Sequence, residues 1–205
     1  MIGFEVLMFD LGGVLVDFTG LVNLSMLFPS VDIEEIRHKW LMSPVVKKFE
    51  TGRCNADEFS SEFIEEWNLD ITPEKFLAEF KSWASGPFDG AVELLESLRS
   101  NYTLVCLTNS NEIHWDCIKD VMGFDVVFHH LFSSHMIGAA KPDKAAFDYV
   151  LNCLEVKPEK VAFFDDNHHN VDSARSLGIN AYVVRGLPEL IQRLQKLEII
   201  PYPRP

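Results

Sequence analysis

The sequence predicts an α/β fold, a Rossmann-like parallel sheet with an inserted all-helical cap domain. Three observations predict it. Five short apolar runs are continuous rather than alternating, as strands buried on both faces of a parallel sheet are. Segments with an apolar stripe at helical spacing separate the later runs. Between the first run and the second lies a long stretch, residues 18–87, that carries helical patterns and no convincing strand.

The first strand, residues 4–9, ends in Asp10. In the insert, Asp32 and Glu35 resemble a capping box ahead of Ile36 and Trp40. Asn55 precedes a stripe of Phe59, Phe63 and Trp67, and Thr72-Pro73 opens a helix bearing Phe76, Phe80 and Trp83. Aromatic stripes at this spacing read as packed core, and the acidic run Glu62, Glu65, Glu66 reads as a solvated helix face. Ser85-Gly86-Pro87 closes the insert. Val92, Leu95 and Leu98 then share a helix face before the second strand at residues 103–107. Ile113, Cys117 and Val121 line the next helix, and residues 126–132 read as the third strand. Phe147, Val150, Leu151 and Leu154 form a further stripe ahead of the fourth strand at residues 161–164. Gly178 ends the following helix, and residues 181–184 are the last strand. Pro188 suits the first turn of a closing helix with Leu187, Leu190, Ile191 and Leu194 inward. The expected division is an α/β core from residues 1–17 and 88–205 and a cap from residues 18–87.

Composition agrees with this plan. The 205 residues are 47% hydrophobic and 24% charged, ordinary values for a globular chain. At ~150 residues per domain the length suits one large domain or one domain with an insert. The formal charge of −13 argues against nucleic acid and anionic lipid as partners, so any anion site must be built locally. Four cysteines form no CxxC pair and read as reduced, largely core residues of a cytoplasmic protein. The apolar N-terminus lacks a basic flank and is interrupted by Asp10, so no signal peptide is expected. No window approaches the ~18 apolar residues of a membrane span.

In open α/β sheets ligands sit beyond the carboxyl ends of the strands. Here those ends carry Asp10, then Thr108-Asn109-Ser110, then Asp165-Asp166-Asn167, while Lys141-Pro142-Asp143 precedes the Phe147 helix. Three carboxylates on one edge repel unless a cation neutralises them, and an all-oxygen set suits Mg²⁺. With Lys141 and the Thr108 hydroxyl to hold an anion beside the metal, the set points to metal-assisted chemistry on a phosphoryl group.

Phe9-Asp10-Leu11-Gly12-Gly13-Val14, Leu107-Thr108-Asn109-Ser110, Lys141-Pro142-Asp143 and Phe164-Asp165-Asp166-Asn167 resemble the four ordered motifs of the haloacid dehalogenase-like (HAD) hydrolases. The wording is closest to the family's small sugar-phosphate phosphatases and the phosphatase domains of epoxide hydrolases, and the insert is similar to its helical C1-type cap. The resemblance implies that Asp10 is the nucleophile and forms an aspartyl-phosphate. It implies that Thr108 donates to a phosphoryl oxygen and Lys141 offsets transition-state charge. Asp10, Asp166 and the Gly12 carbonyl would bind Mg²⁺, with Asp165 a ligand directly or through water. Asn109 would orient the site and contact phosphate, and Asn170 would support it from behind. The implied activity is that of a Mg²⁺-dependent phosphatase on a small phosphorylated metabolite, as a monomer or homodimer.

One departure matters. Most phosphatases of the family carry an acid/base Asp two residues after the nucleophile, where this chain has Gly12. General acid–base help is worth ~10²–10⁴-fold, so its loss leaves turnover slow unless another group, His168, His169 or a cap residue, substitutes. Two rivals stay open: a catalytically weak or inert binding protein and a 2-haloacid dehalogenase. The paired Asp165-Asp166 argues against the dehalogenase, which needs no Mg²⁺. The histidines His129, His130 and His135 read as loop residues rather than metal ligands, and Arg53 as a solvated turn residue.

Overall fold

In the strand Val6–Phe9 (β1) every side chain is buried, Leu7 and Phe9 against one hydrophobic cluster and Val6 and Met8 against another. A strand of this kind needs helices on both sides of its sheet. The computed structural model, which describes residues 3–121 and 123–202, has that arrangement. The other strands are β2 (Val16–Phe18), β3 (Ala84–Pro87), β4 (Thr103–Thr108), β5 (His130–Ser133), β6 (Val161–Asp165) and β7 (Asn180–Val183). Five of them form a parallel sheet in the order β5-β4-β1-β6-β7, with β1 at its centre.

Helices α1 (Gly20–Met26), α2 (Ile33–Met42), α3 (Pro44–Glu50), α4 (Ala56–Trp67) and α5 (Pro73–Lys81) lie between β2 and β3. Outside them come α6 (Ala91–Leu98), α7 (Glu112–Asp116), α8 (Phe124–Val127), α9 (Ser134–Ile137), α10 (Lys144–Leu154), α11 (His168–Ser176) and α12 (Gly186–Lys196). Residues of α6, α8 and α12 pack on the Leu7/Phe9 face, and residues of α10 and α11 on the Val6/Met8 face. Helices α1 to α5 form a third cluster of their own, built on Phe49, Phe59, Phe63, Trp67, Phe76, Phe80 and Trp83. Rings of Phe49 and Phe59 stack at 4.2 Å. No helix among the described residues is long and apolar enough to cross a membrane.

Several sequence expectations are corrected. The third strand begins at His130, and Val126 and Val127 belong to α8, because the apolar run spans a short helix and the strand after it. The stretch expected to be purely helical is bounded by strands: β2 pairs antiparallel with β3. Ser85-Gly86-Pro87 is therefore part of a strand rather than a closing loop. Asp32 caps α2 by accepting the Glu34 N–H, and Glu35 plays no part; the capping box is instead Asn55 with Glu58 on α4. Two members of the acidic run are engaged, since Glu62 pairs with Lys48 at 2.6 Å and Glu66 accepts the Ser43 hydroxyl at 2.6 Å. Cys106 is a core residue as expected, whereas Cys153 is exposed.

The helical insert is pinned to the sheet domain by a few polar contacts. One is His114 of α7, buried, with Nε2 2.7 Å from the Phe80 carbonyl and Nδ1 3.3 Å from Asn111 Nδ2. A carbonyl only accepts, so Nε2 carries the proton and Nδ1 accepts from the amide: the ring is neutral. Burial lowers its pKa below 6.5, with the Phe80 carbonyl opposing. The unfolded chain therefore binds a proton more readily than the folded one, and this histidine costs nothing above pH 6.5. Its own contribution to stability falls as the pH drops below that value, by at most about 1.4 kcal/mol per unit. The expected result is that, on acidification from pH 7 to 5.5, the thermal midpoint of His114→Gln shifts upward relative to that of wild type, whatever the carboxylates contribute to both. An unchanged slope in the variant contradicts the assignment.

Candidate active site

Parallel pairing sets Phe9 level with Cys106 of β4 and Phe164 of β6, so the residues just beyond meet at one sheet edge. Asp10 follows β1, Thr108 ends β4 and Asp165 ends β6. Lys141 enters from the loop after α9, its ammonium 2.9 Å from Asp10 Oδ1 and 2.7 Å from Asp165 Oδ2. Its side chain is 1% exposed, so this cation holds its charge only through those partners. Burial works against the ammonium, yet Asp10 and Asp165 outweigh it and hold the pKa above the ordinary lysine value. Asn109 fixes the lysine backbone in both directions, donating to the Lys141 carbonyl at 2.8 Å and accepting its N–H at 2.9 Å.

Asp165 is fully buried and saturated. It takes the Lys141 ammonium, the Asn167 N–H at 2.8 Å, and the Asn170 amide at 3.0 and 3.1 Å. Its neighbour Asp166 is less enclosed. Oxygens of Asp10, Asp165 and Asp166 lie within 4.8 Å of one another. Burial pushes the Asp10 carboxyl up to about 7, Asp165 and Asp166 adding to the effect and Lys141 opposing it. Asp166 is raised by burial and then by Asp165, against the pull of Lys141 and of Arg37 from α2. An all-oxygen cluster whose repulsion one ammonium does not cancel fits a hard divalent cation. The chain folds this way because Gly13, at φ 71°, turns sharply after β1 and leaves room: a Cβ there would stand 2.8 Å from Asp166 Oδ2.

The structure thus brings Asp10, Thr108, Asn109, Lys141, Asp165 and Asp166 to one edge, with Gly12 in the turn beside them. Asn170 stands behind Asp165. It does not gather the histidines. His168 and His169 are exposed on the first turn of α11 with rings 3.9 Å apart, and Arg53 is exposed. His129 Nδ1 accepts the Leu104 N–H, and His135 bonds the Ser133 hydroxyl. Among the described residues, the carboxylate trio is the one cluster suited to a metal.

Sequence reasoning missed Glu50. This carboxylate ends α3, lies deep beside the cluster while keeping part of its surface open, and accepts a hydrogen bond from the Trp40 side chain. Burial, then the charge of Asp10, pushes it up to about 7, against Lys141 and the Trp40 bond. One signal was available. A carboxylate in the last turn of a helix opposes the macrodipole, and this one follows Lys47 and Lys48, which suit that end.

A family model for haloacid dehalogenase-like hydrolases matches residues 4–178. The chain is 22% identical over 184 residues to a D-ribitol-5-phosphate phosphatase of Bacteroides thetaiotaomicron, covering 86% of this chain and 89% of that one. It is 29% identical over 190 residues to a phosphatase of Mycobacterium tuberculosis, covering 86% and 85%. A crystal structure of a HAD family enzyme from Bacteroides thetaiotaomicron, a magnesium complex, superposes with a TM-score of 0.73 at 25% identity, covering 89% and 94%.

The Gly13 turn yields a direct test. Gly13→Ala forces a side chain into a positive-φ position and against Asp166, at an expected cost of about 1–2 kcal/mol. At roughly 2–4 °C per kcal/mol for a chain of this size, its thermal midpoint should fall by about 2–8 °C. A midpoint equal to wild type would show that the turn tolerates a Cβ.

Proposed function

Since this chain belongs to the haloacid dehalogenase-like hydrolase family, we propose that it is a Mg²⁺-dependent phosphatase acting on a small phosphorylated metabolite. The observation that carries this reading is the buried Lys141 bridging Asp10 and Asp165 beside the open carboxylate of Asp166. Two relatives named as phosphatases, one of them for a polyol phosphate, support it.

In this reading Mg²⁺ would be held by Asp10, Asp166 and the Gly12 carbonyl, with saturated Asp165 acting through water, and would supply charge compensation to phosphoryl oxygens. Asp10 attacks phosphorus in line and the ester oxygen leaves, giving an aspartyl-phosphate. Lys141 fixes Asp10 Oδ1 and offsets charge gathering on the phosphoryl group, and Thr108 donates to one of its oxygens. Asn109 keeps the lysine in place through its backbone. Water then attacks phosphorus and returns Asp10. The helical insert, residues 18–87, serves as a cap over the edge of a core made of residues 1–17 and 88–205, and its side chains choose the substrate.

Release of p-nitrophenol from p-nitrophenyl phosphate tests this. Wild type is expected to turn over only with Mg²⁺, and Asp10→Asn to fall to below about a thousandth of that rate. Equal rates for the two proteins, or halide release from a 2-haloacid in EDTA with no ester cleaved, overturn the reading. Binding is separable from turnover. Mg²⁺ at ~100 times its Kd is expected to stabilise wild type by about 2.7 kcal/mol, and Asp166→Asn to lose most of that gain.

A further inference from the structure

We propose that Glu50, carried to the sheet edge by the last turn of α3, is the general acid that protonates the leaving oxygen, in place of the carboxylate that Gly12 lacks. The inference rests on the phosphatase reading and goes beyond it by naming a catalytic residue on the insert.

The position after Leu11 is open rather than closed to a side chain. A Cβ on Gly12 would make ordinary contact with Phe18 Cβ at 3.8 Å. The core itself therefore puts no acid beside Asp10 from that turn.

Three contacts set α3 and Glu50 against the loops that carry the site. Lys47, one turn before Glu50 and on the same helix face, pairs with Asp143 at 3.1 Å, two residues beyond Lys141. The turn that follows Glu50 abuts the strand domain so closely that a Cβ on Gly52 would collide with the His135 carbonyl oxygen. The Trp40 side chain donates to the Glu50 carboxylate, and that ring is itself held by Phe63, Phe80 and Trp83. The groups whose charges reach Glu50 are Asp10 and Lys141, both of the site.

Other candidates are engaged or remote. His114 is tied to the Phe80 carbonyl, Lys141 to two carboxylates, and His168 and His169 face solvent. Burial raises the Cys106 thiol far above its ordinary value, so it is inert. Burial of the Glu50 carboxyl favours its protonated form, the form a general acid needs.

The step balances. Asp10 forms a bond to phosphorus, the ester P–O bond breaks with its electrons on the leaving oxygen, and the Glu50 proton moves to that oxygen to release an alcohol. The Glu50 carboxylate then takes a proton from the water that attacks the aspartyl-phosphate, freeing phosphate and restoring both acids.

A leaving-group comparison tests it. p-Nitrophenolate departs as a stable anion, whereas the alkoxide of benzyl phosphate, a substrate of similar size, needs the proton. Glu50→Gln is expected to lower kcat/KM for benzyl phosphate by ~10²–10⁴-fold and that for p-nitrophenyl phosphate at least tenfold less. Trp40→Phe, which keeps the ring packing and removes the hydrogen bond, should show the same bias more weakly and serves if the first variant fails to fold. Equal losses on the two substrates, or no loss on either, overturn the role of Glu50 while wild-type turnover leaves the phosphatase reading intact. A wild type inert toward both esters with Mg²⁺, or matched by Asp10→Asn, overturns that reading and the role of Glu50 with it.

Discussion

A lysine ammonium with almost no contact with water is the constraint around which this molecule is arranged. Isolated, such a charge would cost several kcal/mol to bury. Lys141 is tolerated because Asp10 and Asp165 flank it at 2.9 and 2.7 Å, and because Asn109 grips its backbone on both sides. Those partners come from the ends of three different adjacent strands, β1, β4 and β6. Their convergence needs the central placement of β1 and a register that sets Phe9 level with Cys106 and Phe164. Losing the ammonium would leave Asp10 and Asp165 facing each other unpaired, the kind of change that typically costs 3–5 kcal/mol. Sheet order, register and site chemistry are thus one requirement.

Local order was legible in the sequence wherever its cause is local. The stripe of Phe147, Val150, Leu151 and Leu154 and the apolar strand of Val6 to Phe9 declare themselves through period and burial. The strand at His130 was misplaced because Val126 to Phe132 reads as a single run across His129-His130, where a short helix gives way to the strand. The β2–β3 ribbon was invisible for another reason. It is three and four residues long, contains Gly86 and Pro87, and is held by pairing between segments far apart in the chain. In the site, the carboxylates and Lys141 were legible because each stands at a strand end or in a motif. Glu50 was not, since its importance comes from where the insert delivers it.

That delivery has a physical basis in the insert's own packing. Helices α1 to α5 bury a cluster of aromatic rings that is complete except for Ile113 and a few polar ties. Those ties are Lys47 with Asp143, the Ala56 N–H on Glu112, and His114 on the Phe80 carbonyl. A body with its own core and few links can be set against a sheet edge without sharing its hydrophobic layers. It can therefore bring a charged side chain such as Glu50, or the Arg37 guanidinium whose field reaches Asp166, within electrostatic reach of the carboxylate cluster.

The acidity of the chain bears on the order of binding. With a formal charge of −13 the surface repels a phosphate ester, and at the edge three carboxylates face a single ammonium. An anion arriving first meets three carboxylates against one ammonium. A divalent cation arriving first reverses the local sign. Because coupling between two ligands is reciprocal, an anion that gains affinity from the cation must tighten the cation in return. In the proposed function, phosphate and metal would then bind as a pair, and the carboxylate cluster that seemed ill-suited to an anionic substrate would become the reason one can be held.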